Sequence, residues 1–474
     1  MTDHSGNGSQ RLAIIKNLCS QIPFSFFGFG FLYIWFMVIF RHPWSTVSSE
    51  LGFAPLLFDG GICAAYLAVI ALARKRSFGK TTRQLSIIGS SITVGCVIVY
   101  ACFYFLGFHY APTVAVVVFV CGAGFSLVVL TGRALWCAFG SAQVILLYCT
   151  TKIAYNLVLV LLEGFIDSYY IVVSAIILAL ACLSLLLANK QYVSKGLRID
   201  GTQNSFPNAW KLFLLCSVYG VAYGYGYAAC TGVVDYLSIR FVDIAACLAI
   251  VFLLTSWKNF DLIRLYQIAL PAMAIGCLAI PALPFLPASA SQVFLRISYT
   301  AILAYTLLVI CNLCRRSRIN PLALFCAYGI ANHVSLDVGR YLYSFVSHGG
   351  DGLGGIELPS ILVCGAAIAT FLMLSENSLA SSWGMQQTMT IEDLPARTIA
   401  KTLGQYKSEY RLTAREVEIL DCLIRGMSAN EIADEFFLSA GTVKAHTQHI
   451  YRKANVHSKE DLVALFLQKA AEVL

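Results

Sequence analysis

The sequence predicts an all-α protein in two parts: a polytopic membrane bundle of two six-helix repeats, followed by a small four-helix domain built around a helix-turn-helix. Three observations carry this. Hydrophobic residues make up 58% of the 474 residues and charged ones only 12%, and the mean hydropathy of +0.73 lies far outside the soluble norm. Apolar runs of spanning length recur up to residue 375, and the two halves of that region echo one another. Residues 412–474 then change to short amphipathic segments, each opened by a helix-start signal.

A spanning helix needs roughly 17 to 25 apolar residues. Twelve stretches qualify, near 18–40, 53–73, 85–107, 111–130, 134–162, 167–188, 210–231, 241–257, 265–286, 291–313, 320–346 and 356–375. The first 17 residues are polar and the following run, FSFFGFGFLYIWFMVIF, lacks a small-residue cleavage site, so a retained first span is expected. Alternate connections sort the cations. The amino-terminal side carries seventeen, among them Arg11, Lys16, Arg74, Arg133, Lys258 and Arg315; the other has Arg41, Arg240 and Arg296. That asymmetry predicts a cytoplasmic-membrane protein with both termini in the cytoplasm, held by membrane lipid.

The halves repeat. Span five opens LWCAFGSAQ from Leu135 and span eleven LFCAYGIAN from Leu324, while spans two and eight share a spacing in Asp59, Cys63, Arg74 and Asp243, Cys247, Lys258. Two like-oriented six-helix halves are the parallel-repeat plan, and on this pattern residues 1–375 resemble the major facilitator superfamily. The loop RKRSFGKTTRQ is similar to the family's signature between its second and third spans in Phe78, Gly79 and Lys80, but Arg76 stands where that signature has Asp. The departure counts against working transport.

Ionisable groups inside spans are costly and functional by default. Lys152 and Asn156 lie one turn apart on span five, and His333, Asp337 and Arg340 share a face of span eleven. These are candidate ligand-binding or gating residues, together with Asp59 and Asp243. The alternatives are a static network, for example Lys152 with Asp337 across the halves, and shallow aspartates that reach the interface or bridge the halves. Tyr223, Tyr225 and Tyr227 alternate with small residues on span seven, as packing or as cavity lining. The 17 cysteines lack paired CxxC motifs and read as packing residues. No metal, no cofactor and no catalytic residue is indicated: there is no nucleophile beside a base and no phosphate loop, which argues against an enzyme.

Residues 376–411 are polar and form a cytoplasmic linker, helical from about Ala396. Fully extended it reaches at most about 120 Å, and as a flexible coil about 35 Å. The domain at 412–474 follows. TARE at 413, SANE at 428 and SKED at 458 each set a hydroxyl three residues ahead of an acid, the pattern of a capping box. Ser439 is a plainer cap and Gly426 a stop. Helices are expected over 414–425, 429–436, 440–454 and 459–471, the short link FLS giving helix-turn-helix spacing. In the third, Val443, Thr447, Ile450 and Ala454 form the apolar face, and Lys444, Ala445, Gln448 and Arg452 the opposite one. An amide and cations on a helix that fits a major groove suit base edges and phosphates. Residues 439–459 carry Lys444, Arg452, Lys453 and Lys459 and no acid, whereas 416–435 hold six acids against Arg425, so one side presents a footprint for a polyanion.

The stretch LTAREVEILDCLIRGMSANEIADEFFLSAGTVKAHTQHIYRKANVHSKEDLVAL resembles the LuxR-type helix-turn-helix over essentially its whole length. The resemblance implies that Lys444, Ala445 and Gln448 meet bases and that Thr442, His446 and Arg452 hold phosphates beside Lys453. His446 has packing and capping as its alternative. The resemblance also implies a homodimer made by the fourth helix around Leu462 to Phe466. Val417, His449 and Ala454 depart from frequent family residues and bear on the target sequence. Together the two resemblances imply a membrane-bound one-component regulator that takes a small-molecule ligand through its membrane domain and DNA through its tail. The alternative is a secondary transporter with a regulatory DNA-binding tail, which predicts substrate accumulation dependent on Lys152 or Asp337.

Overall fold

The computed structural model describes residues 15–16, 18–20, 22–41, 54–73, 78–106, 110–162, 167–194, 209–230, 236–256, 263–282, 288–316, 320–348, 357–374, 396–456 and 458–473. Two compact units divide the chain, Met1–Met385 and Gln386–Leu474. The loop residues 74–77, with Arg76, lie outside the described residues.

The membrane unit has a helix on each of the twelve stretches expected to span. They are α1 (Phe29–Arg41), α2 (Ala54–Ala73), α3 (Phe78–Leu106), α4 (Ala111–Trp136), α5 (Ser141–Leu162), α6 (Asp167–Ser194), α7 (Ala209–Cys230), α8 (Tyr236–Ser256), α9 (Ile263–Ala282), α10 (Ala288–Arg316), α11 (Pro321–His348) and α12 (Glu357–Leu374). Among the described residues eight helices are long and apolar enough to cross a membrane. Lipid offers the backbone no hydrogen-bond partner, which is why apolar runs of this length close into helices. The start of the first span differs from expectation: Pro23, which lacks an N–H, precedes a 3-10 turn at Phe24–Phe26, and α1 begins only at Phe29.

The two halves are built alike. In the first, α1 packs on α5 and α6, α2 on α4, and α3 on α4 and α6; in the second, α7 packs on α11 and α12, α8 on α10, and α9 on α10 and α12. Each of these five pairs recurs six helices later. Across the halves α2 meets α11, and α5 meets α8 and α10. The α7–α11 pair is close because Gly224 lies against the Leu336 carbonyl and Gly339 against that of Val221, where a Cβ would collide. The similar segments at Leu135 and Leu324 are not equivalent in place. LWCAFGSAQ straddles the end of α4, a turn at 137–140 and the start of α5, whereas LFCAYGIAN lies wholly inside α11. The repeat therefore resides in helix packing and in the aspartates of α2 and α8.

The carboxyl-terminal unit holds α13 (Ala396–Glu409), α14 (Ala414–Ile424), α15 (Ala429–Phe436), α16 (Ala440–Ala454) and α17 (Lys459–Val473). Its core joins Ile419, Leu420, Ile432, Val443, Ile450, Leu462 and Phe466 to Ile399 and Tyr406 of α13. The core thus extends upstream of residue 412 into the segment expected to be a linker. The cause is the apolar stripe of α13: Tyr406 is fully buried, with its ring 5.3 Å from that of Phe466 and 4.9 Å from that of Tyr410.

Candidate nucleic-acid interface and the polar centre of the membrane unit

The helix-turn-helix is set by its caps. Thr413 accepts from the Glu416 amide while the Glu416 carboxylate accepts from the Thr413 amide at 2.8 Å, and Ser428 and Glu431 make the same reciprocal pair. Ser439 accepts from the Thr442 amide at 3.0 Å. Phe437 turns the chain between α15 and α16 in the left-handed region, φ 56°, and Gly426 ends α14 at φ 92°. Arg415 braces the turn, its guanidinium donating to the Phe436 carbonyl at 3.3 Å and lying 4.3 Å from that ring's centre.

On α16, Val443, Ile450 and Ala454 are buried, and Lys444, Ala445, Gln448, His449 and Arg452 are exposed, as is Thr442 near the amino-terminal end. His446 and Thr447 are half-buried. Lys453 points elsewhere: its Nζ donates to Glu416 at 2.6 Å and to the Arg411 carbonyl at 3.2 Å. It ties the end of α16 to the cap of α14. Lys459 likewise donates to the Met427 carbonyl at 2.9 Å, so two of the four cations in the basic stretch serve the fold. Burial pushes the Glu416 carboxyl up, but the bonds from Lys453 and Thr413 outweigh it and hold the group below the ordinary glutamate value. Leu462 and Phe466, the residues implied for the dimer, are fully buried in their own domain. A dimer through α17 has to use its outward side, where Asp461 is exposed and Val463 and Leu465 are half-buried.

In the membrane unit, Asp243 of α8 is 1% exposed and lies 3.0 Å from Lys152 of α5 and 2.7 Å from Arg296 of α10. Lys152 also donates to Thr300 at 2.6 Å. Asn156 is buried, donating to the Lys152 carbonyl at 2.8 Å and accepting from Arg240 at 3.5 Å. Lys152 therefore crosses the halves to Asp243, and Asp337 is taken by Arg340 of its own helix at 3.0 Å. Asp59 of α2 sits 2.7 Å from His333 and 3.9 Å from Arg340, both on α11. Each repeat thus uses its corresponding aspartate to reach a cationic or imidazole group of the opposite half. Successive spans alternate in direction, so the starts of α2, α8 and α10 and the ends of α5 and α11 share one membrane face, and the bridges lie toward it. Toward the other face, Ser141 donates to Asn312 at 2.9 Å and Arg315 to Asn312 at 2.6 Å, again joining α5 to α10.

Several phenols accompany these charges. Arg133 of α4 donates to the Tyr33 hydroxyl at 2.6 Å, and the Tyr33 ring faces Tyr155 at 5.9 Å. Tyr155 lies within electrostatic reach of Asp243, Lys152 and Arg296. Beyond Arg296, Tyr223 stacks on Tyr299 at 4.1 Å and 5°, and Tyr299 donates to Asn332 at 2.9 Å. Tyr225 faces away, edge-on to Tyr343. Arg133, Arg240 and Arg296, expected in connections, all lie inside helices. What would have found them is the rule that a lone cation within an apolar run faces the bundle interior.

Residues 410–466 match the model of the bacterial regulatory proteins, luxR family. Over 58 residues the chain is 45% identical to the oxygen regulatory protein NreC of Staphylococcus carnosus, covering 12% of this chain and 27% of that protein. The chain therefore spans about a quarter of the curated relatives it matches. The human organic anion transporter MFSD10 superposes with a TM-score of 0.53 at 9% identity, covering 74% of this chain and 97% of the other. The major facilitator superfamily proton:xylose symporter XylE superposes with a TM-score of 0.53 at 14% identity, covering 78% and 96%. Those likenesses show the fold. The chain is a multi-pass membrane protein of major-facilitator fold that carries a luxR-family helix-turn-helix domain at residues 410–466.

Proposed function

We propose that this chain is a one-component transcription regulator of the cytoplasmic membrane: its membrane unit takes a small-molecule ligand and its carboxyl-terminal unit binds DNA. The observation that carries the DNA half is the outward face of α16, where Lys444, Ala445 and Gln448 stand exposed on a helix whose other face is locked into the core. Lys444 and Gln448 supply donors and an amide acceptor to base edges in a major groove, and Ala445 keeps the approach close. Thr442, His446 and Arg452 flank them for phosphates. Lys453 supports this face from behind through Glu416.

The sensing half rests on the charged bridges between the repeats. A ligand that binds one packing of the halves better than the other shifts their balance, and moving 1:99 to 99:1 takes about 5.5 kcal/mol of preference. Lys152, Asn156 and Asp243 at α5–α8, and Asp59, His333, Asp337 and Arg340 at α2–α11, are the groups through which such a preference acts. The excess of Lys and Arg in connections on the amino-terminal side supports cytoplasmic termini, where the tail meets the chromosome as a homodimer. The test is a promoter footprint by the membrane-inserted full chain. Protection lost in the Lys444→Ala, Gln448→Ala double variant supports the reading, and unchanged protection overturns it. A protease that cuts residues 413–474 from outside intact cells overturns the orientation.

A further inference from the structure

We infer that the ligand held between the halves is a small organic anion, a carboxylate, gripped by Arg296 with Lys152, Arg133 being a further cation of the same interior that no carboxylate meets among the described residues. The inference rests on the sensing reading above and names the class of ligand. Its basis is a charge imbalance. Among the described residues, Asp243 is the carboxylate that serves Lys152 and Arg296, at 3.0 and 2.7 Å, and one carboxylate neutralises one of two cations. Asp59 and Asp337 are taken by His333 and Arg340. Arg133 is met by phenols: it donates to Tyr33 at 2.6 Å, and Tyr66 and Tyr328 stand within electrostatic reach. A phenol is a neutral acceptor and leaves the guanidinium charge in place. Cations without a counter-charge in a low-dielectric interior are unfavourable until something anionic arrives.

The cations are less deeply buried than the carboxylate. Lys152 and Arg296 keep 12% and 17% of their side-chain surface open, whereas Asp243 keeps 1%. Guanidinium groups match a carboxylate with two parallel N–H donors, and the stacked Tyr223 and Tyr299 offer a flat wall to the ligand's hydrocarbon body. An amine would add a further like charge, and an amide would leave the imbalance unchanged.

The test uses the purified full chain in detergent micelles. Its melting is followed with benzoate, phenylacetate and octanoate, each beside its amide and its matching amine, with sodium chloride and sodium phosphate at equal ionic strength. At least one acid is expected to raise Tm, as a ligand bound only by the folded state must, while its amide and amine do not. That shift is expected to vanish in Arg296→Gln and to survive in Lys211→Gln, a cation outside the cluster. Unliganded Arg296→Gln is expected to melt little lower than the parent, because Lys152 still neutralises Asp243; a marked fall would make Arg296 a structural keystone and overturn the proposal. Stabilisation by an amine or amide, by inorganic anions alone, or by none of the acids overturns it too. An amine or amide effect that is lost in Arg296→Gln leaves ligand sensing in place, whereas a promoter reporter blind to every stabilising acid strikes the sensing reading and leaves the binding site.

Discussion

Asp243 on α8 lies 3.0 Å from the ammonium of Lys152 on α5, and that pair joins one half of the membrane unit to the other. Arg296 shares the same carboxylate at 2.7 Å. Asp243→Asn leaves two buried cations facing each other, and breaking a buried pair from one side costs about 3–5 kcal/mol. The expected outcome is a lower Tm of the full chain in micelles, partly recovered when Lys152→Met is added. An unchanged Tm for Asp243→Asn would show that the halves do not depend on this bridge.

Base contacts at α16 predict a graded loss. Lys444→Ala and Gln448→Ala should each weaken promoter binding by about 5- to 150-fold, the range for losing a good side-chain contact to a base. Lys453→Ala should act differently, because its Nζ is spent on Glu416 and Arg411. It should lower the domain's stability by about 1 kcal/mol, as loss of a helix-capping contact does, with little change in sequence preference. Binding isotherms on promoter and scrambled DNA, beside a denaturant melt, separate the two behaviours.

Salt reports which cations reach phosphates. The affinity of the 386–474 unit should fall steeply with ionic strength, and Arg452→Ala should reduce the log–log slope by about 0.9 through one lost phosphate contact. Arg452 is exposed on α16. Lys453→Ala and Lys459→Ala should leave the slope nearly unaltered, since both ammonium groups are held by the protein. A slope reduced equally by all three substitutions would place the whole basic stretch on DNA.

The contrast between Glu416 and Arg133 shows what a sequence exposes. The capping box at Thr413 was legible because its partners lie three residues apart, and α16 because its apolar steps repeat within one helix. The partner of Glu416 at Lys453 is 37 residues away, and no local period points to it. Arg133, Arg240 and Arg296 were assigned to connections because a cation near the end of an apolar run looks like a loop residue. The cost of a cation facing lipid turns them inward, and the packing of α4, α8 and α10 gives them their partners. Asp59 and Asp243 were visible as a repeated pair, yet the identity of the groups they meet depended on which helices face each other across the halves. For α13, low overall hydropathy concealed Ile399 and Tyr406, two buried positions two turns apart.

Acid should loosen the carboxyl-terminal unit through Glu416. Its carboxyl is held below the ordinary glutamate value, burial opposing and Lys453 and Thr413 prevailing. A depressed folded-state pKa contributes stability that is present above the unfolded value of about 4.3 and is lost as pH falls through the folded value. Denaturant midpoints of the 386–474 unit should therefore drop below about pH 4. Glu416→Gln should be less stable at neutral pH and show a shallower acid limb. Parallel acid limbs for parent and variant would assign the transition to other carboxylates.

Tyr406 separates ring from hydroxyl. The side chain is fully buried against Phe466 and Tyr410, and its hydroxyl has no hydrogen-bond partner among the described residues. A buried hydroxyl without a partner opposes folding, whereas a buried aromatic ring favours it. Tyr406→Phe should therefore leave the 386–474 unit as stable as the parent or more so, and Tyr406→Ala should cost about 3–5 kcal/mol, as for large aromatic truncations in a core. By the same packing, a fragment beginning at residue 412 loses Ile399 and Tyr406 and uncovers Phe466, so it should melt well below the 386–474 unit. Equal stability of the two fragments would return residues 396–409 to the status of a linker, and a destabilised Tyr406→Phe would mean that the hydroxyl finds a partner after all.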